Sequence, residues 1–295
     1  MILFGMWVGV FAQLLEYGVS PSYFQSQKIK ILDSKEFKSS KIDGIKITEV
    51  SDLAFKDGIL WGLSDQGYLY RFSLVIKDKK IQKIKPLKAF RLKTKKGKKL
   101  KKSKRDAEGL CYTDKKLLIS FERKPRISYF SLNGIKLKNA NIDKKLLDIK
   151  NYRSENKALE SVIYSKKYGV VTAPELPLKM QNKSTHTIFT NKGDFKFVAS
   201  GCITSLEFID EDNLLVLLRD YSYLSGRLVV TLLRFDLLSG DVNTLLKMDS
   251  KKGWHIDNFE GLTKVGKNLY LIVSDDNENL FQKTLFVLFE LIKSK

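Results

Sequence analysis

The sequence predicts an all-β propeller, and three observations carry that expectation. A hairpin unit recurs at a spacing of about fifty residues, helical periodicity is nearly absent, and Gly, Asp and Asn turns punctuate the apolar runs. Across 295 residues such a repeat makes one closed β-propeller domain with five visible blades, and the N-terminal stretch leaves a count of five or six open.

The first unit joins residues 51–55 to 60–65 across the turn Lys56-Asp57-Gly58. The second joins residues 108–112 to 117–122, and the third joins 160–164 to 169–175. The fourth joins residues 205–209 to 214–220 across Asp210-Glu211-Asp212-Asn213, and the fifth joins 260–264 to 269–276. Each reads as a β-hairpin, two apolar stretches around a polar turn. Third strands rich in β-branched and aromatic residues follow at 68–74, 127–132, 228–235 and 284–291. The fifth unit reaches the C-terminus after three strands, so a strand within residues 28–48 is expected to complete its sheet and close the ring.

Between the first two units, residues 92–105 carry nine Lys or Arg among fourteen residues. A block that repels itself and offers no apolar face is expected to be a solvated, mobile loop between blades. Residues 1–12 form an apolar run too short to span a bilayer but long enough for the apolar region of an export signal. Residues 1–20 therefore read as an export signal or N-terminal extension, residues 21–295 as the propeller, and the location as periplasmic or secreted.

The formal charge of +20 favours an anionic partner, such as a phosphorylated small molecule or an envelope component, and is compatible with peripheral membrane contact. Specific nucleic-acid binding is not expected, because residues 92–105 contain no aromatic residue on which a base could stack. Cys111 and Cys202 lack the spacing of a zinc site or disulfide framework and read as small buried residues. Of the two histidines, His186 falls in a polar stretch expected to be a loop, and His255 is expected at the rim.

A tight antiparallel hairpin brings the start of its first strand beside the end of its second. If the first strand lies innermost, those positions converge on the channel mouth. The first set is Asp52, Asp106, Glu108, Glu160, Glu207, Asp257 and Glu260; the second is Asp65, Glu122, Glu175, Asp220, Asp275 and Asp276. Asn156, Asn258 and Asn277 stand close by. Carboxylates gathered in this way raise one another's pKa unless positive charge sits among them. Arg123, Arg126, Arg219 and Lys283 occupy equivalent edges, and Ca²⁺, a hard ion that seeks oxygen, is the expected supplement.

The stretches 257–262, 269–277 and 282–291 resemble the C-terminal signature of the bacterial phytase-like domain, also described as esterase-like activity of phytase. The resemblance extends upstream through Ser64-Asp65, Asp106-Ala107-Glu108-Gly109-Leu110, residues 120–127, residues 156–160 and Ala173-Pro174-Glu175, covering about residues 44–292. Leu159 and Ser161 depart from the family's usual aromatic and Gly, and Lys283 stands where Arg is usual. A lysine there keeps the charge but loses the bidentate grip.

The resemblance implies an exported propeller of the phosphoester or ester hydrolase kind. On that reading Asp65, Glu122, Glu175, Asp275 and Asp276 hold the metal. Arg123, Arg126, Arg219 and Lys283 bind substrate, and Glu108 or Glu260 activates water. The alternative is a non-catalytic envelope module that uses the same mouth to bind an anionic glycan, a lipid head group or a protein. The sequence leaves that choice open, along with the substrate and the oligomeric state.

Overall fold

Antiparallel hairpins account for nearly every element of the computed structural model, which describes residues 13–292 apart from 23, 25, 39, 280 and 281. The apolar run at residues 1–12, and the export signal expected there, lie outside the described residues. The chain begins with β1 (Leu14–Glu16) and β2 (Ile29–Phe37), then the small hairpin β3 (Lys41–Ile42) and β4 (Ile45–Lys46). Blade 1 is β5 (Val50–Lys56), β6 (Ile59–Ser64), β7 (Tyr68–Lys77) and β8 (Lys80–Arg91). Blade 2 is β9 (Ala107–Thr113), β10 (Lys116–Phe121), β11 (Arg126–Phe130) and β12 (Lys136–Asn139). Blade 3 is β13 (Leu159–Ser165), β14 (Gly169–Pro174), β15 (Thr185–Thr190) and β16 (Gly193–Val198). Blade 4 is β17 (Cys202–Phe208), β18 (Asn213–Ser222), β19 (Arg227–Asp236) and β20 (Val242–Asp249). Blade 5 is β21 (Phe259–Lys264), β22 (Leu269–Ser274) and β23 (Thr284–Leu291), completed by β2 and then β1.

The blade count is therefore five, and the N-terminal strand closes the ring as expected. β2 pairs with β23 from Ile29 opposite Leu291 to Phe37 opposite Thr284, which joins the two ends of the chain in one sheet. The boundary expected at residue 20 shifts: β1 pairs with β2, and Val19 is buried in the core shared by blades 4 and 5. Five apolar clusters each fill the space between two neighbouring blades. The inner strands touch in a closed circle, β5 to β9 to β13 to β17 to β21 and back to β5.

Two local expectations are corrected. His186 lies within β15, buried and stacked on Phe197 at 5.5 Å, and burial pushes its pKa down to about 4, so it is a neutral core residue. The basic segment at 92–105 does own an apolar anchor, since Leu92 is fully buried and Leu100 packs on the core between blades 1 and 2. Its backbone is tied down as well: Lys93 N–H donates to Gly134 at 2.8 Å and Lys136 N–H donates to Lys93 at 2.9 Å. Cys111 and Cys202 are free thiols, partly rather than fully buried, and His255 is exposed.

The inner strands approach closely around the channel. A Cβ on Gly109 would meet Val162 N at 2.6 Å and Glu160 O at 2.7 Å, and one on Gly261 would meet Asp52 Cα at 2.9 Å. Only glycine fits at these two places, which explains the Glu-Gly-Leu pattern of β9 and β21.

The closing strand yields a stability prediction. Phe37 packs edge-on to Phe72 at 5.9 Å and to Phe286 at 6.1 Å, bridging β2 to blades 1 and 5. Phe37→Ala is expected to lower unfolding free energy by about 3–5 kcal/mol. Urea denaturation measures it, and a change below about 1 kcal/mol would mean that β2 does not carry the closure.

Candidate active site at the channel mouth

The site is built by one irregularity repeated five times. In every blade the pairing between the first two strands slips by one residue, leaving Ser51, the Glu108-Gly109 pair, Glu160, Thr204 and Glu260 as the extra residues. A bulge of this kind re-aims the side chain it displaces. Three of the five bulges thereby bring a glutamate to the channel.

Just above them, the second strands end in an equivalent ring of Asp65, Glu122, Glu175, Arg219 and Asp275. The backbone registers this ring: Glu122 N–H donates to Asp106 O at 3.0 Å, Glu175 N–H to Ala158 O at 2.8 Å and Asp275 N–H to Asn258 O at 2.9 Å. In blade 4 Cys202 opposes Arg219, so Arg219 takes the place that a carboxylate holds in the other four blades. The sequence had pointed to Asp220 there; the strand pairing puts Arg219 at that position instead, and Asp220, one residue further along β18, is exposed.

Both rings open into a cavity of about 280 Å³. Eight carboxylates line it, namely Asp65, Asp106, Glu108, Glu122, Glu160, Glu175, Glu260 and Asp275, against the three cations Arg123, Lys157 and Arg219. Ser51, Asn156 and Asn277 complete the wall. Arg219 donates to Glu260 at 2.5 Å, to the Asn258 side-chain oxygen, and lies 3.7 Å from Glu175. Lys157 contacts Glu175 at 2.7 Å, and Arg123 contacts Asp106 at 2.7 Å. Ser51 and Lys157 are the wall residues that sequence reasoning missed, although Ser51 opens the first repeat unit and Lys157 stands within the Asn156-Lys157-Ala158-Leu159-Glu160 stretch that was singled out.

Too little positive charge remains for so many acids. Burial first, and then neighbouring carboxylates, pushes Asp65 up to about 6, Glu122 up to about 8 and Asp275 up to about 9. Glu108 and Glu160 are likewise raised well above the ordinary carboxylate range, by burial first and then by neighbouring carboxylates. Burial also raises Glu260, with Arg219 opposing it. Burial works against the charge on Arg219, but Glu260 and Glu175 outweigh it and strengthen its hold on the proton.

Several expected participants lie elsewhere. Asp276 accepts from Thr48 Oγ1 at 2.6 Å, Glu49 N–H at 3.0 Å and Thr284 Oγ1 at 3.0 Å, and is not part of the cavity wall. Lys283 pairs with Glu36 at 2.7 Å, and Asp257 accepts from the N–H groups of Asn258 and Lys283. Arg126 lines a neighbouring cleft instead. Glu207 is bound to the N–H groups of Phe208 and Lys264, away from the mouth. Asp52 is buried in the channel, where it accepts from Leu110 N–H, Leu262 N–H and Ser205 Oγ.

The donor set fits a hard cation. Asp106, Glu108 and Glu122 offer oxygens within 4.8 Å of one another, and so do Glu122, Glu160 and Glu175, which makes Glu122 common to both groups. Asp65 Oδ1 is buried without a hydrogen-bond partner. Carboxylate oxygens alone, in such number, suit Ca²⁺ better than softer ions.

A family model described as phytase-like, esterase-like activity of phytase, matches residues 45–278. The chain belongs to the phytase-like family. Among solved structures, it is similar to the glutaminyl cyclase of Myxococcus xanthus at 13% identity and a TM-score of 0.52, over 90% of this chain and 97% of that one. It also matches the Cps50 (Swd1) β-propeller domain of Myceliophteria thermophila at 9% identity and a TM-score of 0.41, over 96% and 99% of the two chains. Likeness at these identities concerns the fold alone. No curated protein matches the chain.

The raised pKa values of this phytase-like chain set the sign of a pH effect. Without a cation the folded state keeps protons on Asp65, Glu122 and Asp275 that the unfolded chain loses near about 4, so raising the pH from about 4 to about 9 removes stability, the Asp65 share by about 6 and the rest by about 9. In chelator the melting temperature is expected to fall across that window. Glu122→Gln, neutral at every pH, should flatten the fall, and a wild-type melting temperature that rises with pH would contradict the crowding.

Proposed function

We propose that this chain is a cation-assisted hydrolase of anionic esters, phosphate esters foremost, acting at the channel mouth. One observation carries the reading: eight carboxylates and an anchored arginine share a single small cavity in a member of the phytase-like family. Glu122 with Glu160, Glu175 and Asp106 would hold the ion, and Asp65 has a free oxygen to add. When bound, such an ion polarises the ester and acidifies water.

The chain's own groups divide the remaining work. Glu260 is engaged by Arg219 and by Asn258, so it positions the arginine rather than taking a proton. Glu108 is the better base: positive charge in the mouth draws its pKa down from its raised value, after which its carboxylate accepts the proton of the attacking water. Arg123, half-exposed at the rim, meets the incoming anion, and Arg219 stabilises charge developing deeper in.

The same reading places the protein outside the cytoplasm, supported by the apolar run at residues 1–12. N-terminal sequencing of protein recovered from cells checks this; a mature chain that begins at Met1 in the cytoplasm argues against it.

Release of phosphate or phenol from generic aryl esters is the functional test, run with Ca²⁺ and with chelator. Activity is expected only with the ion, and Glu108→Gln should lower kcat by about 10²–10⁴-fold. Ca²⁺ at a hundredfold excess over its dissociation constant should stabilise the fold by about 2.7 kcal/mol, an effect that Glu122→Gln diminishes. Ca²⁺ stabilisation without turnover on any ester would favour the binding-module alternative.

A further inference from the structure

A second cavity, of about 1100 Å³, lies beside the mouth, and Arg123 lines both. Its walls are the 92–105 segment, the β10–β11 turn, β12 and the short helical turns Lys144–Leu147 and Ile149–Asn151. Backbone hydrogen bonds between Lys93 and residues Gly134 and Lys136 fasten the basic segment to blade 2, so the cleft is a fixed feature of the fold.

Its charge is the opposite of the mouth's. The Arg126 guanidinium lies over the Phe121 ring at 3.7 Å and donates to the backbone carbonyls of Lys124, at 2.9 Å, and Lys104. Among the described residues no carboxylate pairs with Arg126 or Lys136. Burial pulls Arg126 down to about 10, and burial together with Arg126 and Lys104 pulls Lys136 down. Asp148 and Glu155 also line the cleft, but Asp148 is turned to the Lys150 N–H at 3.0 Å. Arg126 and Lys136, neither bonded to a carboxylate, are relieved by an arriving anion, and a planar guanidinium suits a phosphoryl group. Beside them Leu137, Leu147 and Ile149 form an apolar wall, with Leu147 49% exposed. A fully solvated inorganic anion has no use for that wall, whereas an alkyl chain does.

We propose that this cleft is a second binding site, which takes a phosphomonoester with its phosphoryl group on Arg126 and Lys136 and its apolar substituent along Leu137, Leu147 and Ile149. The site is separate from the carboxylate cavity, and its occupancy does not depend on catalysis there.

Titration calorimetry on the full chain in chelator, with hexyl phosphate, inorganic phosphate and hexanol as probes, tests it. Hexyl phosphate is expected to bind, inorganic phosphate at least about tenfold more weakly, and hexanol not measurably. Arg126→Met keeps a side chain over Phe121 but removes the charge, and should weaken hexyl phosphate binding at least about tenfold. Lys136→Gln, on a more peripheral residue, should weaken it in the same direction, and Leu147→Ser should weaken hexyl phosphate while leaving inorganic phosphate unchanged. Melting curves identify any variant that fails to fold. No binding by wild type, or wild-type binding by both Arg126→Met and Lys136→Gln, overturns the proposal. Arg219→Met separates the two sites: in a folded variant, retained hexyl phosphate binding supports the cleft whatever the mouth hydrolyses, and lost binding puts the ligand at the mouth and overturns it.

Discussion

Asp52 sits where the inner strands of blades 1, 2, 4 and 5 come within hydrogen-bonding reach of one carboxylate. Leu110 N–H donates to it at 2.7 Å, Ser205 Oγ at 3.0 Å and Leu262 N–H at 3.2 Å. Burial raises its pKa, and these donors oppose the rise. Removing the carboxylate would strand two buried N–H groups, and orphans of that kind cost about 1–3 kcal/mol each. At the depth of Asp52 the strands are so close that positions 109 and 261 exclude a Cβ. The strands cannot crowd further side chains there, so the channel is narrow at that level and opens on both sides of it, into a cavity of about 200 Å³ reached by Phe55, Tyr112, Tyr164, Glu207 and Lys264 on one side and, on the other, into the mouth, where the bulges turn the next residues inward.

That closeness creates the electrostatic problem of the site. Bulged and strand-end residues converge from all five blades, and eight of those around the cavity are acids. Arg219 answers part of the repulsion by holding the place of a fifth strand-end carboxylate and binding Glu260 and Asn258. Lys157 and Arg123 answer a little more. What remains must be met by protons or by a cation, and the two compete for the same oxygens. The elevated pKa values of Glu122 and Asp275 are thus the protonic face of an appetite for metal.

Much of this was legible because hairpin geometry is local. The repeat locates strand ends, and strand ends of an inner hairpin must share a face, so Asp65, Glu108, Glu122, Glu175, Glu260 and Asp275 could be placed together from spacing alone. The bulge could not be read in the same way. It depends on how neighbouring inner strands pack. In blade 4, moreover, the second strand runs on to Ser222, so no strand end marks Arg219 rather than Asp220 as the ring position. Arg126 and Lys283 mark a second limit. Each stands at the mouth end of a third strand, Arg126 opposite Phe121 in β11 and Lys283 just before β23, one strand spacing of about 4.8 Å further from the axis. A one-dimensional repeat records height along the channel well and distance from its axis poorly. The 92–105 segment shows a third limit, since two leucines among nine cations were enough to fasten it.

The arrangement of opposite charges constrains the order of events on the proposed reading. A chain of net charge +20 attracts anions at long range, yet the innermost surface it offers them is a cluster of carboxylates. An anionic ester therefore gains nothing from the mouth until a cation has discharged those acids. Ion first and ester second is the sequence that Coulomb's law favours. The basic cleft and Arg123 sit where an anion can wait at the rim without entering the acidic well. On the proposed reading the two adjacent cavities of opposite charge divide the work, the carboxylates taking the ion and the arginines and lysines the ester.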